Sequence, residues 1–159
     1  MVDKLRENDS PYYDRFRLIP QNESRIWACA LNAFSVAAGI NSKELELVVG
    51  HDGGAVIDDR IDGARRFAGY SDTELVLALW KKSYLVVTFY VDDISLNERI
   101  LLRNSLDGQR VVIYYNHPKV GLHAVAWYGT YISDLRREIV NVTDIPVASI
   151  EAFYLVKGQ

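Results

Sequence analysis

Apolar residues crowd every side of the stretch from about Ser24 to Ala38, which carries Ile26, Trp27, Cys29, Ala30, Leu31, Ala33, Phe34, Val36, Ala37 and Ala38 and is followed at once by Gly39. A helix that is hydrophobic all round is a buried one, and glycine suits the left-handed position just past a helix end. The pattern predicts a central helix enclosed by the rest of the chain. Asn41 and Ser42 can cap a second helix running to Val49 and closed by Gly50, and Ser71-Asp72-Thr73-Glu74 is a capping box opening a third that reaches about Lys82. Between them, 50–69 is a long connection rich in glycine and aspartate. Past residue 83 the chain turns β-branched and aromatic. Tyr84 to Val91 predicts a strand, Leu96 to Ser105 a short helix, and Asp107-Gly108 a turn into a strand over Arg110 to Tyr115. Leu122 to Gly129 and Glu138 to Thr143 predict a hairpin around Ser133-Asp134, and Pro146 begins a helical turn leading into a strand over Phe153 to Val156. Helices first and sheet second make an α+β chain with a mostly antiparallel C-terminal sheet. Residues 1–20, polar and ending in Pro20, read as an N-terminal arm lying extended across a surface.

The 159 residues suffice for one domain, 1–159, whose core needs neither disulfides nor metals. A net charge of -3 and the lack of any basic run longer than pairs such as Arg65-Arg66 argue against a nucleic-acid partner. No apolar run approaches the ~18 residues of a membrane span, and the charged start Met1-Val2-Asp3-Lys4-Leu5-Arg6-Glu7 lacks a signal-peptide core, so the expected location is cytoplasmic, away from membranes. One cysteine and three scattered histidines, His51, His117 and His123, offer no metal-ligand spacing, and no cofactor is expected.

Cys29 is the only cysteine, and it lies between Gln21 and His123, a histidine on a strand. A catalytic thiol needs a base, the base an orienting partner, and the acyl oxygen a donor. Glutamine, then a cysteine on a helix, then a histidine on a late strand supplies those residue types.

At these residues the chain resembles the papain-like cysteine peptidases, most closely their small bacterial C39-like branch. The matching pieces run in order over most of the length: Ile19-Pro20-Gln21, the Cys29 helix, His51-Asp52-Gly53-Gly54, Gly69-Tyr70-Ser71, Arg110 to Ile113, Gly121-Leu122-His123 through Tyr128-Gly129, and Val142-Thr143-Asp144-Ile145-Pro146. The His123 segment is the most specific of them. The resemblance implies a papain-like fold, a thiolate on Cys29 activated by His123, Asp144 orienting His123, and Gln21 donating to the oxyanion. The implied activity is that of a cysteine peptidase, or of an amidase or deamidase acting on a peptide or protein substrate. By analogy, the small size suits a stand-alone bacterial or phage effector or accessory protein.

The departures leave alternatives open. Gln21 and Cys29 are eight positions apart, wider than the family's usual interval, and Trp27 precedes the cysteine instead of following it. Aligning Trp27-Ala28 with the family's Cys-Trp-Ala run puts Ile26 at the nucleophile position, makes Cys29 a core residue and predicts a pseudoenzyme that binds a peptide or protein. A helix capped by Ser24 leaves Cys29 more than one turn inside, whereas a helix starting at Trp27 or Ala28 brings it to the dipole's positive end. Each residue also has an ordinary role: Cys29 as a small core hydrophobe, His123 as a core histidine bonded to backbone, Gln21 in a loop and Asp144 as a turn cap with Asn141 the competing orienter. His51 fits a surface turn, and the tyrosines fit sheet and rim positions.

Overall fold

A computed structural model describes residues 25–58, 65–67 and 69–158. The N-terminal arm (1–20), Gln21 and Ser24 lie outside the described residues. Within them the chain is α+β, with four α-helices and a five-stranded antiparallel sheet.

A 3-10 turn over Ile26–Ala28 leads into the central helix, α1 (Cys29–Ala38), so the helix starts later than the apolar run suggested and Cys29 is its first residue. Every residue from Ala30 to Ala38 is buried, and Gly39 ends the helix at φ 75° with its N–H on the Ser35 and Val36 carbonyls. α2 (Ser42–Val49) is capped by the Asn41 side chain, and α3 (Asp72–Lys81) by the Ser71–Glu74 capping box. The connection between them holds a small antiparallel pair, β1 (Val56–Asp58) and β2 (Arg65–Phe67). The remaining elements are β3 (Tyr84–Tyr90), α4 (Leu96–Ser105), β4 (Val111–His117), β5 (Gly121–Tyr128), β6 (Tyr131–Ser133) and β7 (Ile150–Gly158).

The sheet order is β3-β7-β4-β5-β6. Its alternating residues serve two cores. Val112, Tyr114, Ala124, Ala126, Ala152 and Tyr154 face α1, α2 and α3, while Val111, Ile113, Val125, Trp127 and Phe153 face Leu102 of α4 and the segment carrying Ile139, Val142 and Ile145. Alanines at 124, 126 and 152 leave room for α1 to lie close against the sheet, where Phe34 meets the rings of Tyr114 and Tyr154 edge-on at 6.1 and 5.2 Å.

One expected strand is absent. Residues 138–143 do not pair; β5 turns back directly at 129–130 into β6, and the chain then leaves the sheet. The cause is Asp134, whose carboxylate takes the backbone N–H groups of Arg136, Glu138 and Ile139 that a strand ladder would need.

Phe34 fills the seam between helix and sheet with no exposure, so Phe34→Ala is expected to lower unfolding free energy by about 3–5 kcal/mol in denaturant titrations, well beyond a surface substitution.

Candidate active site

The turn before α1 is anchored from outside the helix. The Arg25 guanidinium grips both carboxylate oxygens of Glu46 on α2 at 3.1 and 3.0 Å, and the Trp27 indole N–H donates to the Asp52 carbonyl at 2.9 Å. Gly53 fits where nothing larger does: a Cβ there would lie 2.7 Å from the Tyr70 ring and 3.1 Å from that of Trp27. The first turn of α1 carries no acidic residue and no side-chain cap. The positive end of the helix dipole is therefore left to the Cys29 sulfur.

Cys29 is partly exposed and lies beside the imidazole of His123, near the head of β5, close enough for that ring to favour the thiolate. The other side of that ring, Nε2, meets Asp134 Oδ1 at 2.7 Å, which leaves Nδ1 for the thiol. His123 and Asp134 are both buried, with side chains 3% and 1% exposed. Asp134 follows β6, and its carboxylate is fully engaged: Oδ1 takes His123 and the Arg136 N–H at 3.0 Å, and Oδ2 takes the N–H groups of Glu138 and Ile139, both at 3.0 Å.

These contacts set the charges. Burial pushes the Cys29 thiol up, but the hydrogen bond and charge of His123, joined by the backbone N–H groups of Ala124 and Ala30, outweigh it and bring the thiol below its ordinary range. Burial likewise opposes the imidazolium, yet the bonds to Asp134 and Cys29 hold His123 up to about 9. For Asp134 burial opposes the carboxylate, and the bonds from His123, Ile139 and Arg136 prevail, bringing it down to about 2. These shifts favour a thiolate–imidazolium pair with a carboxylate behind it.

A second layer holds the Asp134 segment in place. His117, at the end of β4, accepts the Lys119 N–H at Nδ1 and presents Nε2 to Glu138 Oε2 at 2.6 Å; the Arg136 Nε donates to Glu138 Oε1 at 3.2 Å. Tyr115, opposite His123 in the ladder, sets its ring edge-on to the imidazole at 5.6 Å. Burial, then the charges of Asp134 and Glu138, push the Tyr115 phenol up to about 12. On α1, Asn32 lies one turn beyond Cys29 and reaches Ser133, the neighbour of Asp134, at 3.5 Å.

Of the residues expected from sequence, Cys29 and His123 come together. Asp144 does not join them: its Oδ2 accepts the N–H groups of Val140 and Asn141 at 3.2 and 2.8 Å, making it the cap of the 3-10 turn Val142–Asp144. Asn141, the competing orienter, is exposed and belongs to the same cap. The orienting carboxylate is Asp134, because β6 pairs with β5 and delivers it beside the His123 ring. Gln21 lies outside the described residues. Ile26 falls in the turn before the helix, so the residue at the helix start opposite His123 is Cys29. His51 occupies a surface turn as expected, its Nε2 3.0 Å from Glu74 and its ring stacked on Tyr70. Asp134, Tyr115, His117 and Glu138 were missed; for Asp134 the available signal was an acid directly after the strand that must pair with the histidine strand.

A cleft of about 370 Å³ lined by Arg103, Asn104, Trp127 and Thr143 opens at the far end of β5 and takes no part in this array. Among the described residues no cluster of histidine, cysteine and carboxylates can hold a metal ion, and no helix is long and apolar enough to cross a membrane. Comparison with protein-family models, curated proteins and solved structures found no match.

Two measurements check the site. Alkylation of native Cys29 by iodoacetamide should remain fast below pH ~8, slow by roughly tenfold or more in His123→Ala and slow measurably in Asp134→Asn, while Asp144→Asn leaves the rate unchanged. Asp134 has a depressed folded-state pKa, so its contribution is present above the unfolded value of ~3.9 and is lost as pH falls toward 2; the wild type should lose about 2 kcal/mol more than Asp134→Asn across that window in acid-unfolding curves.

Proposed function

We propose that the chain is a papain-like thiol hydrolase, a cysteine peptidase or a protein-directed amidase or deamidase. The observation that carries the reading is Cys29 at the start of a buried helix, beside an imidazole that favours its thiolate and whose Nε2 is held by the buried carboxylate of Asp134. A helix bearing the thiol, packed on an antiparallel sheet bearing the histidine, supports this reading alongside the sequence resemblance.

In this reaction the Cys29 thiolate attacks an amide carbonyl carbon, forming a C–S bond and an oxyanion. Donors aimed at that oxygen are worth several kcal/mol in such sites, and the Gln21 amide is assigned to this role from the sequence resemblance. Collapse of the intermediate breaks the C–N bond as His123 gives its proton to the leaving amine. Water then attacks the thioester and passes a proton to His123; the thiolate leaves, and a carboxylic acid is released with the imidazolium restored. Asp134 keeps the ring in the required tautomer and orientation throughout and does not itself take the proton. Partial exposure of Cys29 suits attack on a peptide or protein substrate presented at the surface. The expected setting remains the cytoplasm.

The test is labelling by a peptidyl fluoromethyl ketone, followed by a peptide-library screen. Adduct formation on Cys29 that needs His123, with kcat/KM in Cys29→Ala lower by on the order of 10³-fold or more, supports the hydrolase. The pH profile should be bell-shaped: the acid limb reports the thiolate, and the alkaline limb falls near 9 as His123 loses the proton it must donate. A thiol that alkylates readily but turns over no amide would leave the second reading, a groove that binds peptide without cleaving it.

A further inference from the structure

β3 is one edge of the sheet, pairing on one side with β7 and with no strand on the other among the described residues. Proteins protect such edges with lysines, prolines, bulges or short length, because free N–H and C=O groups recruit another strand. β3 has none of these devices. It is seven residues long, its sequence Tyr-Leu-Val-Val-Thr-Phe-Tyr holds no charge and no proline, and its register with β7 is continuous. Leu85 and Val87, on the face of Phe89, are 48% and 46% exposed. Tyr90 is exposed on the other face, as are Leu77 and Trp80 on α3, the helix packed against β3.

Charge selects the occupant. The strand is preceded by Lys81-Lys82 and followed by Asp92-Asp93. Lys82 already pairs with Glu44, but Lys81, Asp92 and Asp93 make no ion pair among the described residues. We infer that β3 pairs antiparallel with β3 of a second copy of this chain, joining two sheets into one of ten strands about a two-fold axis at Val87. Val87 is the middle residue of the strand, so the axis sets Val87 against itself, Leu85 against Phe89 and Tyr84 against Tyr90 of the second copy, each pair sharing a face. Antiparallel pairing also sets the Lys81-Lys82 end of one β3, where the helix turns into the strand, near the Asp92-Asp93 turn that follows β3 of the other copy, at both ends. A parallel arrangement would put lysines beside lysines. The surface is self-complementary, as a two-fold interface requires. Two strands, β7 and β4, separate β3 from the His123 strand, so Cys29 stays open in the dimer.

Sedimentation of the full chain across ~1–100 μM tests the pairing. The wild type should dimerise. Val87→Lys, which places two cations face to face on the axis, should raise the dimer dissociation constant by roughly tenfold or more. Lys81→Asp and Asp93→Lys should each weaken the dimer by roughly two- to fivefold in low salt, and the double exchange should restore it. Circular dichroism and Cys29 alkylation report whether each variant is folded; should Val87→Lys be unfolded, the charge exchange alone tests the interface. A wild type that stays monomeric over this range overturns the inference, as does a dimer indifferent to folded Val87→Lys or to the charge exchange.

Discussion

The Asp134 carboxylate is the constraint on which the site rests. A buried carboxylate is tolerated only when its lone pairs are filled and a positive charge stands nearby, and here three backbone N–H groups and an imidazolium meet both needs. The same four bonds shape the chain, because residues 134–139 must curl around the carboxylate instead of continuing as a strand. Curling brings Glu138 to His117, and that contact ties the segment to β4. Orientation then passes outward: with Nε2 committed to Asp134, the ring is held in place beside Cys29, where its charge favours the thiolate.

The thiol's own position depends on packing. α1 is buried from Ala30 to its end, and it can be so only because alanines from β5 and β7 form its seat and the polar pair facing β6, Asn32 and Ser133, meets internally. A helix held on all sides cannot slide, so Cys29 at its first residue keeps its distance from β5. The uncapped N-terminus adds to the effect, since the sulfur is the group best placed to accept its dipole. Deep packing thus does for the thiol what hydrogen bonding does for the imidazole.

Local signals in the sequence proved reliable where the physics is local. Gly39 and Gly50 as helix ends, Asn41 and Ser71 as caps, and the apolar run of α1 act within a few residues of themselves and appear as expected. The strands over Tyr84–Tyr90, Val111–His117 and Gly121–Tyr128 follow from β-branched and aromatic content. The misreadings share one cause. Ser133-Asp134 looks like a turn and Glu138–Thr143 like a strand, because propensity does not register a carboxylate that draws backbone N–H groups away from a ladder. Asp144 looked suited to orient His123 from its place before Ile145-Pro146, yet Asp at that spot serves equally as a cap, which is the role it has.

Residue order and type were enough to establish an α+β chain with one buried helix, and to single out Cys29 and His123 as the candidate pair. They left open whether Cys29 starts the helix or lies inside it, and which acid stands behind the histidine. Both answers come from contacts distant along the chain. The helix start is held by Arg25 on Glu46 and Trp27 on Asp52, more than twenty positions away, and the acid is chosen by the register of β6 on β5. A charge in the interior is stable only where the fold converges enough donors on it, and Asp134 is the carboxylate beside His123 that meets this condition.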